Sequence, residues 1–363
     1  MNAVDVLVVG AGPAGSVAAI AARRAGADVL LVDRAEFPRA KACGCCLSPL
    51  ATGSLAGLGL EEAMDGAEVL RSLRLRSGSS ETTVRRACGA AIGRDELDSR
   101  LIGLARAEGV RIRLGCPASA RAEGGWTVGG EATEARCAVA CDGLAGRSLD
   151  AIAAFAWRIR AASRMGFGAV VPAGALRCER GEVRMHVARD GYVGAVRLPG
   201  GTIDVAGAAT PRGVRDAGGP AEYAIAALGA AVHDADALRR ARWTGTPALS
   251  RRRASLSAPG ILVAGDASGY EEPFTGEGMG WAIATGGAAG SLAASVADGR
   301  ARHDAWPALH ASIVGGAQRR CRAIALALRV PGATALAIRA GALAPGIASF
   351  VAERVGRPAR STA

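Results

Sequence analysis

A glycine-rich turn between an apolar strand and a helix limits the fold of this chain more than any other feature. Val4–Val9 is short, apolar and β-branched, as is typical of a buried parallel strand. The turn Gly10-Ala-Gly-Pro-Ala-Gly15 follows at once, and Pro13–Ala25 has the composition of a helix. Val29–Val32 then predicts a second buried strand. The sequence therefore opens with a βαβ unit.

Each glycine of this turn has a physical role in binding a dinucleotide. Gly10 permits the tight turn, Gly12 lets the backbone approach a pyrophosphate, and Gly15 allows close helix–strand packing. The helix N-terminus offers free N–H groups to the phosphates. Asp33 ends the second strand, where a carboxylate binds ribose hydroxyls. We therefore predict cofactor contacts at Gly10, Gly12, Pro13, Ala14, Gly15, Asp33 and Arg34.

Composition excludes several function classes. The chain has 363 residues, of which 50% are hydrophobic, so it can bury a large core and is neither disordered nor collagen-like. Aromatic residues make up only 4%, which argues against a stacking platform for single-stranded nucleic acid. The net charge is +11, but the arginines are spread and Arg251–Arg253 is the densest run. We expect no nucleic-acid partner; an acidic carrier protein or a membrane surface stays open.

The cysteines indicate a reducing compartment. There are nine, an odd number, and the N-terminus shows no secretion signal. No apolar run reaches the ~18 residues needed to span a bilayer. Cys43, Cys45 and Cys46 are clustered, but they have no partner pair or nearby histidine, so no metal site is predicted. We expect a cytoplasmic protein and leave open a peripheral membrane contact.

The middle of the chain predicts an antiparallel sheet inserted into the first domain. Between Met165 and Ala209, β-rich runs are separated by turn glycines. A buried strand at Ile261–Ala264 and a long helix at Gly278–Ala297 then return to the α/β pattern. Residues from about 303 onward are predicted to be helical. The predicted strands and helices not yet named include Val69–Arg76 paired with Glu81–Arg86, Arg94–Glu108, Val183–Val187, Tyr192–Leu198, Thr202–Ala206 and Ala221–Ala231.

A second motif follows the buried strand at 261–264. The strand leads into Gly265-Asp266, and Gly276-Glu-Gly278-Met279 opens the long helix. With the glycine turn, this pattern resembles the geranylgeranyl reductases and the flavoprotein monooxygenase superfamily, which share the para-hydroxybenzoate hydroxylase fold. The resemblance implies that Gly265 and Asp266 contact the flavin ribitol of FAD, and that the backbone of Gly276, Gly278 and Met279 lies against the flavin. A helix N-terminus there would stabilise reduced flavin by about 0.3–2 kcal/mol.

The segment Phe37–Pro49 carries the most specific part of the resemblance. Its sequence, Phe-Pro-Arg39-Ala-Lys41-Ala-Cys43-Gly-Cys-Cys-Leu-Ser-Pro, is similar to the Pro-Arg-x-Lys-x-Cys-Gly-x-x-Leu-Ser-Pro loop of geranylgeranyl reductases. In that family the cysteine lies close to the flavin. The segment that begins at Arg94 resembles a cofactor-contacting segment of the superfamily, although Arg94 could instead lie on the helix surface. The segment around Asp142 resembles a second cofactor-contacting segment of the superfamily. The residues implied by these matches are Cys43, Gly44, Arg94 and Asp142.

The cysteine cluster supplies the candidate catalytic residues, Cys43 and Cys45. In an extended stretch these two would face the same side and Cys46 the other. A thiol beside reduced flavin could donate a proton to a substrate carbon, because its ordinary pKa of about 8.5 keeps it protonated at neutral pH. Nearby Lys41 or Arg39 would instead lower that pKa and favour a thiolate. The third interpretation is that these cysteines only shape the loop.

We expect an α/β fold: a Rossmann-like FAD-binding domain formed by residues 1–150 and 250–300, an inserted substrate sheet at 151–249, and a helical region at 301–363. The substrate should be a small hydrophobic molecule, since apolar residues alternate along the inserted strands; the same alternation could equally be sheet core. The predicted pocket residues are Val183, Met185, Val187, Val193, Val196 and Leu198.

The leading hypothesis is an FAD-dependent oxidoreductase similar to geranylgeranyl reductases, in which a hydride passes from reduced flavin to a C=C bond of the substrate. NAD(P)H is the expected electron donor. One alternative is a monooxygenase or oxidase acting on an aromatic or polyketide-like compound. A second alternative is a flavin-bound redox sensor that uses the cysteine cluster.

Overall fold

The computed structural model describes residues 2–343 except 273, 275 and 331. Pro273 and Thr275, which precede the Gly276–Met279 segment, and the predicted helical residues 344–363 lie outside the described residues. The strands are β1 (Asn2–Val9), β2 (Val29–Val32), β3 (Cys46–Leu47), β4 (Glu68–Ser77), β5 (Ser80–Ala91), β6 (Arg111–Arg113), β7 (Ala118–Ala120), β8 (Trp126–Val128), β9 (Glu131–Ala140), β10 (Trp157–Ile159), β11 (Met165–Val171), β12 (Glu182–Ala188), β13 (Gly191–Arg197), β14 (Ile203–Ala209), β15 (Thr244–Ala248), β16 (Arg251–Arg253), β17 (Ser257–Ala258), β18 (Ile261–Val263) and β19 (Gly269–Tyr270). The α-helices are α1 (Pro13–Arg24), α2 (Pro49–Gly57), α3 (Arg94–Ala107), α4 (Pro211–Asp216), α5 (Pro220–Leu228), α6 (Ala235–Arg240), α7 (Gly278–Ala297), α8 (Trp306–His310), α9 (Gly316–Ala327) and α10 (Ala333–Leu343).

The first sheet contains the predicted βαβ unit. Its strand order is β17-β18-β9-β1-β2-β6, and β1 pairs in parallel with both β2 and β9. Val6, Val8 and Leu31 of this sheet are fully buried against α1, α3 and α7, as expected for a parallel sheet covered by helices. The strand order brings the carboxyl ends of β1, β2 and β18 to one edge of the sheet. The predicted Rossmann-like domain is confirmed.

The second sheet contains the predicted inserted strands as β12, β13 and β14, but it is not wholly antiparallel. Its order is β15-β11-β14-β13-β12-β4-β5-β3, and β12 pairs in parallel with β4. The predicted antiparallel pairing is confirmed for the inserted strands β11 to β14, and the one parallel pair described in this sheet joins β12 to β4 from the 1–150 segment. The reason is topological: the chain between β4 and β12 crosses much of the first sheet, which is long enough for a parallel connection. Residues 68–91, from the predicted 1–150 segment, lie in this second sheet.

The second sheet has two differently used faces. One face packs on α5 and α6, with Val193, Val205 and Leu228 in its core. The other face lines a cavity and carries Val183, Met185, Val187 and Val196. Two of the predicted pocket residues therefore do not line the cavity. The alternation of side chains along β13 places Val193 on the face covered by helices, and Leu198 packs beside Cys45 and Leu70. The predicted helix over 221–231 ends earlier, as α5, and a 3₁₀ turn follows.

The C-terminal helices join the two sheets. Helix α7 packs tightly on α1, since a Cβ at Gly286 or Gly290 would lie 2.3 or 2.1 Å from the carbonyl oxygens of Ala14 and Ala18. Helix α10 packs against β4 and β5. In the described ranges, 2–343 without the three gaps, the structure contains no helix whose length and apolar character suffice to cross a bilayer.

Candidate active site

A cavity of about 1380 Å³ lies between the two sheets. The carboxyl ends of β1 and β2, the 39–49 loop and the Gly-Asp segment after β18 form one side. The apolar face of the second sheet forms the other, and residues of α9 and α10 complete the wall. The size and mixed lining fit a large cofactor with an apolar ligand beside it. We call the two sides the dinucleotide side and the apolar side.

The glycine turn forms the dinucleotide side by close backbone packing. Gly10 has a φ of +101°, and a Cβ there would lie 2.5 Å from the carbonyl oxygen of Cys141. A Cβ at Gly15 would lie 1.7 Å from the carbonyl oxygen of Gly10. At Gly12, the N-cap of α1, a Cβ would have only the Nη2 atoms of Arg39 and Arg94 nearby, both at 3.9 Å. The open end of α1 and two guanidinium groups thus converge, which suits a pyrophosphate.

Asp33 fixes this turn from the end of β2. Its Oδ2 accepts a hydrogen bond from the backbone N–H of Ala11 (2.7 Å), and Oδ1 accepts one from Ala35 (2.9 Å). Arg39 lies 3.7 Å from the same carboxylate, and Arg34 also lines the cavity. The carboxylate is 7% exposed at the cavity edge, in the position at which a strand-ending carboxylate binds ribose.

Arg94 is buried rather than on the helix surface, so the helix-surface alternative is wrong. It is 6% exposed and donates two hydrogen bonds to Asp98, both 2.9 Å long. Burial alone would lower the pKa of Arg94, but Asp98 and the adjacent Cys43 hold it well above its usual range. The Cys43 sulfur also hydrogen-bonds the guanidinium group. Arg94 is therefore a fixed positive charge on the dinucleotide side.

The cysteine loop is not the extended stretch that the sequence predicts. Cys45 has a φ of +49°, in the left-handed region that non-glycine residues rarely adopt. This turn buries Cys45 against Leu70 and Val196 but keeps its thiol in hydrogen-bond contact with Cys43. Cys46, predicted to face away, lines the cavity together with Cys43. The predicted orientation of Cys46 is therefore wrong, because the left-handed residue reverses the alternation.

The two thiols differ in acidity. The hydrogen bond from Cys45 lowers the pKa of Cys43 well below its ordinary value, and Arg94 adds to this effect against the cost of burial. The contact with Cys43 and burial raise the pKa of Cys45 well above its ordinary value. Within the pair, the thiolate is favoured at Cys43 and the proton stays on Cys45.

Asp266 and Lys41 lie near Arg94 at the same end of the cavity. Gly265 opens the Gly-Asp turn with a φ of +60°, and its N–H donates to Thr285 Oγ1 (3.0 Å). Burial raises the pKa of Asp266, although Lys41 and Arg94 oppose the shift. Burial, with the help of Arg94, lowers the pKa of Lys41. Because the charged groups of Asp266 and Lys41 have few protein partners, they are suited to bind a polar ligand group between them.

The start of α7 is a second open helix end. Its N-cap residue, Glu277, does not cap the helix; the Cys321 thiol instead donates to Glu277 Oε2 (3.7 Å). Gly276, with a φ of +73°, and Gly278 line the cavity, and buried Met279 lies behind them. The N–H groups of this helix end are thus available to an electron-rich ring.

Asp142 and the cavity-facing residues of the glycine turn complete the fit to a dinucleotide. Asp142 Oδ2 accepts a hydrogen bond from the N–H of Ser148 (2.9 Å), and burial raises the pKa of the carboxyl group. Among the described residues, Asp142 Oδ1 and Arg39 Nε are buried atoms with no hydrogen-bond partner. These unpartnered buried polar atoms belong to residues beside the glycine turn and fit an FAD that would supply the partners. The cavity brings together all of the predicted cofactor contacts, which are Gly10, Gly12, Pro13, Ala14, Gly15, Asp33, Arg34, Cys43, Gly44, Arg94, Asp142, Gly265, Asp266, Gly276, Gly278 and Met279; Gly15 and Gly265 lie just behind its surface.

Sequence reasoning missed one ionisable residue in the site. Asp204, on β14, is 4% exposed and lines the apolar side of the cavity. In the run Ile203-Asp204-Val205 it alternates with core residues, so the sequence places it on the non-core face. That face would be exposed to solvent in an isolated sheet. Asp204 is buried because the first domain lies across this face.

Comparison with known proteins identifies the family. Residues 5–74 match the family model described as FAD dependent oxidoreductase. The menaquinone reductase of Mycobacterium tuberculosis is 31% identical over 369 residues, which cover 91% of this chain and 85% of that protein. This chain belongs to the family of FAD-dependent oxidoreductases that includes the menaquinone reductases.

Solved structures agree with this fold. The geranylgeranyl bacteriochlorophyll reductase-like protein of Thermoplasma acidophilum has a TM-score of 0.74 at 18% identity, covering 100% of this chain and 94% of that one. The flavin-dependent brominase Bmp2 has a TM-score of 0.79 at 17% identity, covering 98% of this chain and 94% of that one. At these identities the likeness concerns the fold alone. The chain is an enzyme of the FAD-dependent oxidoreductase class.

Proposed function

We propose that this enzyme reduces a C=C bond in the prenyl chain of an apolar lipid such as menaquinone. The observation that carries the proposal is the apolar side of the cavity, which lies directly opposite the dinucleotide side. A prenyl chain offers little for hydrogen bonds and is bound by burying its surface against such a wall. The wall residues are Leu73, Leu75, Val84, Val183, Met185, Val187, Val196, Ala206, Ala208, Ile324, Leu328 and Ile338.

The related menaquinone reductase supports the substrate class, since its name gives an apolar lipid quinone and it aligns along most of both chains. The loop Phe37–Pro49 supports the same conclusion, since its pattern is that of geranylgeranyl reductases. The fold likeness to a brominase does not decide between chemistries, because one fold hosts many reactions.

Bound FAD would supply a hydride to the substrate. We propose that the open ends of α1 and α7, with Arg39 and Arg94, hold the cofactor. Arg94 keeps a positive charge beside the Cys43 sulfur, and Asp98 fixes the direction of its guanidinium group. Tyr192 and Phe274 meet edge to face with ring centroids 5.1 Å apart, and both line the cavity, where they exclude water. NAD(P)H is the proposed electron donor.

A membrane surface is the proposed source of the substrate. Leu326, Val330 and Leu336 are 54%, 56% and 70% exposed. They belong to the same C-terminal segment whose Leu328 and Ile338 line the cavity. An apolar outer surface on the elements that wall the cavity would let a lipid pass from a bilayer to the cavity with little exposure to water.

A single-turnover reaction tests the proposed function. The FAD-loaded enzyme is reduced with dithionite without oxygen and mixed with a short-chain menaquinone. We expect flavin reoxidation and a prenyl chain that gains two hydrogens by mass spectrometry. No gain in mass under these conditions, with product formed from an aromatic compound only when oxygen is admitted, would contradict the proposal and favour the monooxygenase alternative. Reduction of the quinone ring alone would also contradict it.

A further inference from the structure

The apolar side of the cavity contains one carboxyl group, and its position is unusual. Asp204 lies on the face of β14 that also carries Ala206 and Ala208, both of which line the cavity. Its register partner on β13 is Val196, another wall residue. A buried carboxyl group among apolar side chains is unfavourable unless it is protonated or paired. Among the described residues, no Lys, Arg or His forms an ion pair or hydrogen bond with Asp204.

A thiol is a polar neighbour of Asp204. Cys45 is within hydrogen-bond distance of the Asp204 carboxyl group and also of Cys43. Cys45 has a single hydrogen to donate, so Asp204 shares this one donor with Cys43. The contact with Cys45 lowers the pKa of Asp204, but burial outweighs it.

One oxygen of Asp204 has no protein partner at the cavity wall. Its Oδ2 atom is buried and has no hydrogen-bond partner among the described residues, and Asp204 lines the cavity. Burial and the charge at Cys43 raise the pKa of Asp204 well above its ordinary value, although Arg94 and Cys45 oppose this. A protonated carboxyl group directed at an apolar ligand is a general acid.

We propose that Asp204 is the proton donor for reduction of the substrate double bond. This inference rests on the proposed function. The hydride and its electron pair come from reduced FAD and form a C–H bond at one alkene carbon as the π bond breaks. The other carbon takes the proton from the Asp204 carboxyl group, which becomes a carboxylate. The carboxylate is reprotonated from water through the thiols at Cys45 and Cys43 before the next turnover.

This assignment changes the role predicted for Cys43. A proton donor must carry its proton when the substrate arrives, and Cys45 and Arg94 lower the pKa of the Cys43 thiol well below its ordinary value, which disfavours the protonated form. Tyr192 and Tyr270 also line the cavity, but burial raises the pKa of both phenols well above the ordinary value, so each is a weaker acid than a carboxyl group. Asp142 and Asp266 belong to the dinucleotide side.

The main test compares Asp204→Asn, which keeps the shape but removes the acid, with the control Asp190→Asn, which makes the same change at an exposed position just before β13. We expect about 100-fold or greater loss of single-turnover chain reduction in Asp204→Asn, with FAD content unchanged, and the wild-type rate in Asp190→Asn. Tyr192→Phe removes a competing hydroxyl and should lose much less than Asp204→Asn. An Asp204→Asn rate within about threefold of the wild type, or a loss in Tyr192→Phe as large as that in Asp204→Asn, would overturn the proposal.

An infrared measurement tests the protonated carboxyl group without any substrate. The difference spectrum of FAD-loaded wild type minus Asp204→Asn should contain the C=O band of a protonated carboxylic acid at neutral pH. A carboxylate band in its place would overturn the proposal. If the wild type fails to reduce menaquinone, the proposed function fails while this spectrum still decides whether Asp204 holds a proton. If Asp204→Asn does not fold, Asp204→Ser takes its place in both measurements.

Discussion

The two sides of the cavity are built in different ways. On the dinucleotide side, backbone geometry sets the shape: Gly10, Gly15 and Gly265 stand where a Cβ would collide with neighbouring atoms. On the apolar side, side chains of β4, β5, β12, β13 and β14 and of two helices set the shape, and none of the wall residues named above has a positive φ. A shape that depends on the backbone tolerates few substitutions, whereas a shape made by side chains changes with each one. The first side is therefore the more constrained of the two.

The largest expected effect comes from breaking the dinucleotide side. In Gly15→Val the new side chain would collide with the Gly10 carbonyl oxygen, 1.7 Å from the Cβ position. We expect the purified variant to lose its bound FAD, measured as flavin absorbance per protein. Gly103→Val is the matched control, because this helix glycine has open space around its Cβ position. A Gly15→Val protein that stays yellow would show that the turn does not form the pyrophosphate site.

A second prediction concerns the support behind the dinucleotide side. Buried His310 donates from Nε2 to Ser268 Oγ (3.0 Å), whose own hydrogen goes to the Gly265 carbonyl oxygen. Burial lowers the pKa of His310 to about 4. As the pH falls below about 6.5, His310 therefore takes up a proton in the unfolded chain before it does so in the folded protein. The free energy of unfolding should be about 2 kcal/mol lower at pH 5 than at pH 8.

Urea titrations of wild type and His310→Asn at several pH values check this. The contribution is complete above the unfolded pKa of about 6.5 and decreases towards pH 4. In His310→Asn this part of the pH dependence should be absent, so the difference between the two proteins should shrink as the pH falls. Parallel curves for the two proteins would mean that His310 is not buried as a neutral ring.

The third prediction concerns Cys43, where the two sides meet. Cys43→Ser replaces the thiolate by a neutral hydroxyl beside Arg94. We expect FAD to stay bound and single-turnover reduction to fall at least about tenfold, or 1.4 kcal/mol of barrier. Cys46→Ser makes the same change at another thiol that lines the cavity, and it should change the rate less. Full activity in Cys43→Ser would show that the loop is only structural.

The smallest expected effect sharpens the comparison on the apolar side. Met185→Gln keeps the length of a wall side chain but makes it polar. We expect affinity for a prenyl lipid to fall by about 0.8 kcal/mol, or roughly fourfold, with FAD binding unchanged. Val69→Gln, at a 50% exposed position of β4, is the control. Ligand-induced shifts of the melting temperature report the change, and equal shifts in both variants would place the ligand elsewhere.

The same contrast explains what the sequence could predict. A glycine required by a backbone contact occurs at a fixed spacing, so the turn at 10–15 and the Gly-Asp segment at 265–266 could be found without coordinates. Alternating apolar residues look the same whether they line a pocket or a core, and so Val193 and Val196 could not be told apart. Asp204 and the left-handed Cys45 depend on contacts between distant segments, which no local pattern contains.

The packing of α7 on α1 has a consequence for synthesis of the chain. Helix α1 emerges from the ribosome early, but Gly286 and Gly290, which allow α7 to cover it, come more than 250 residues later. Until then the apolar face of α1 has no permanent cover, and the nascent chain must be kept from aggregating. Stop codons before the end of α7 should therefore yield insoluble, chaperone-bound fragments rather than a smaller flavoprotein.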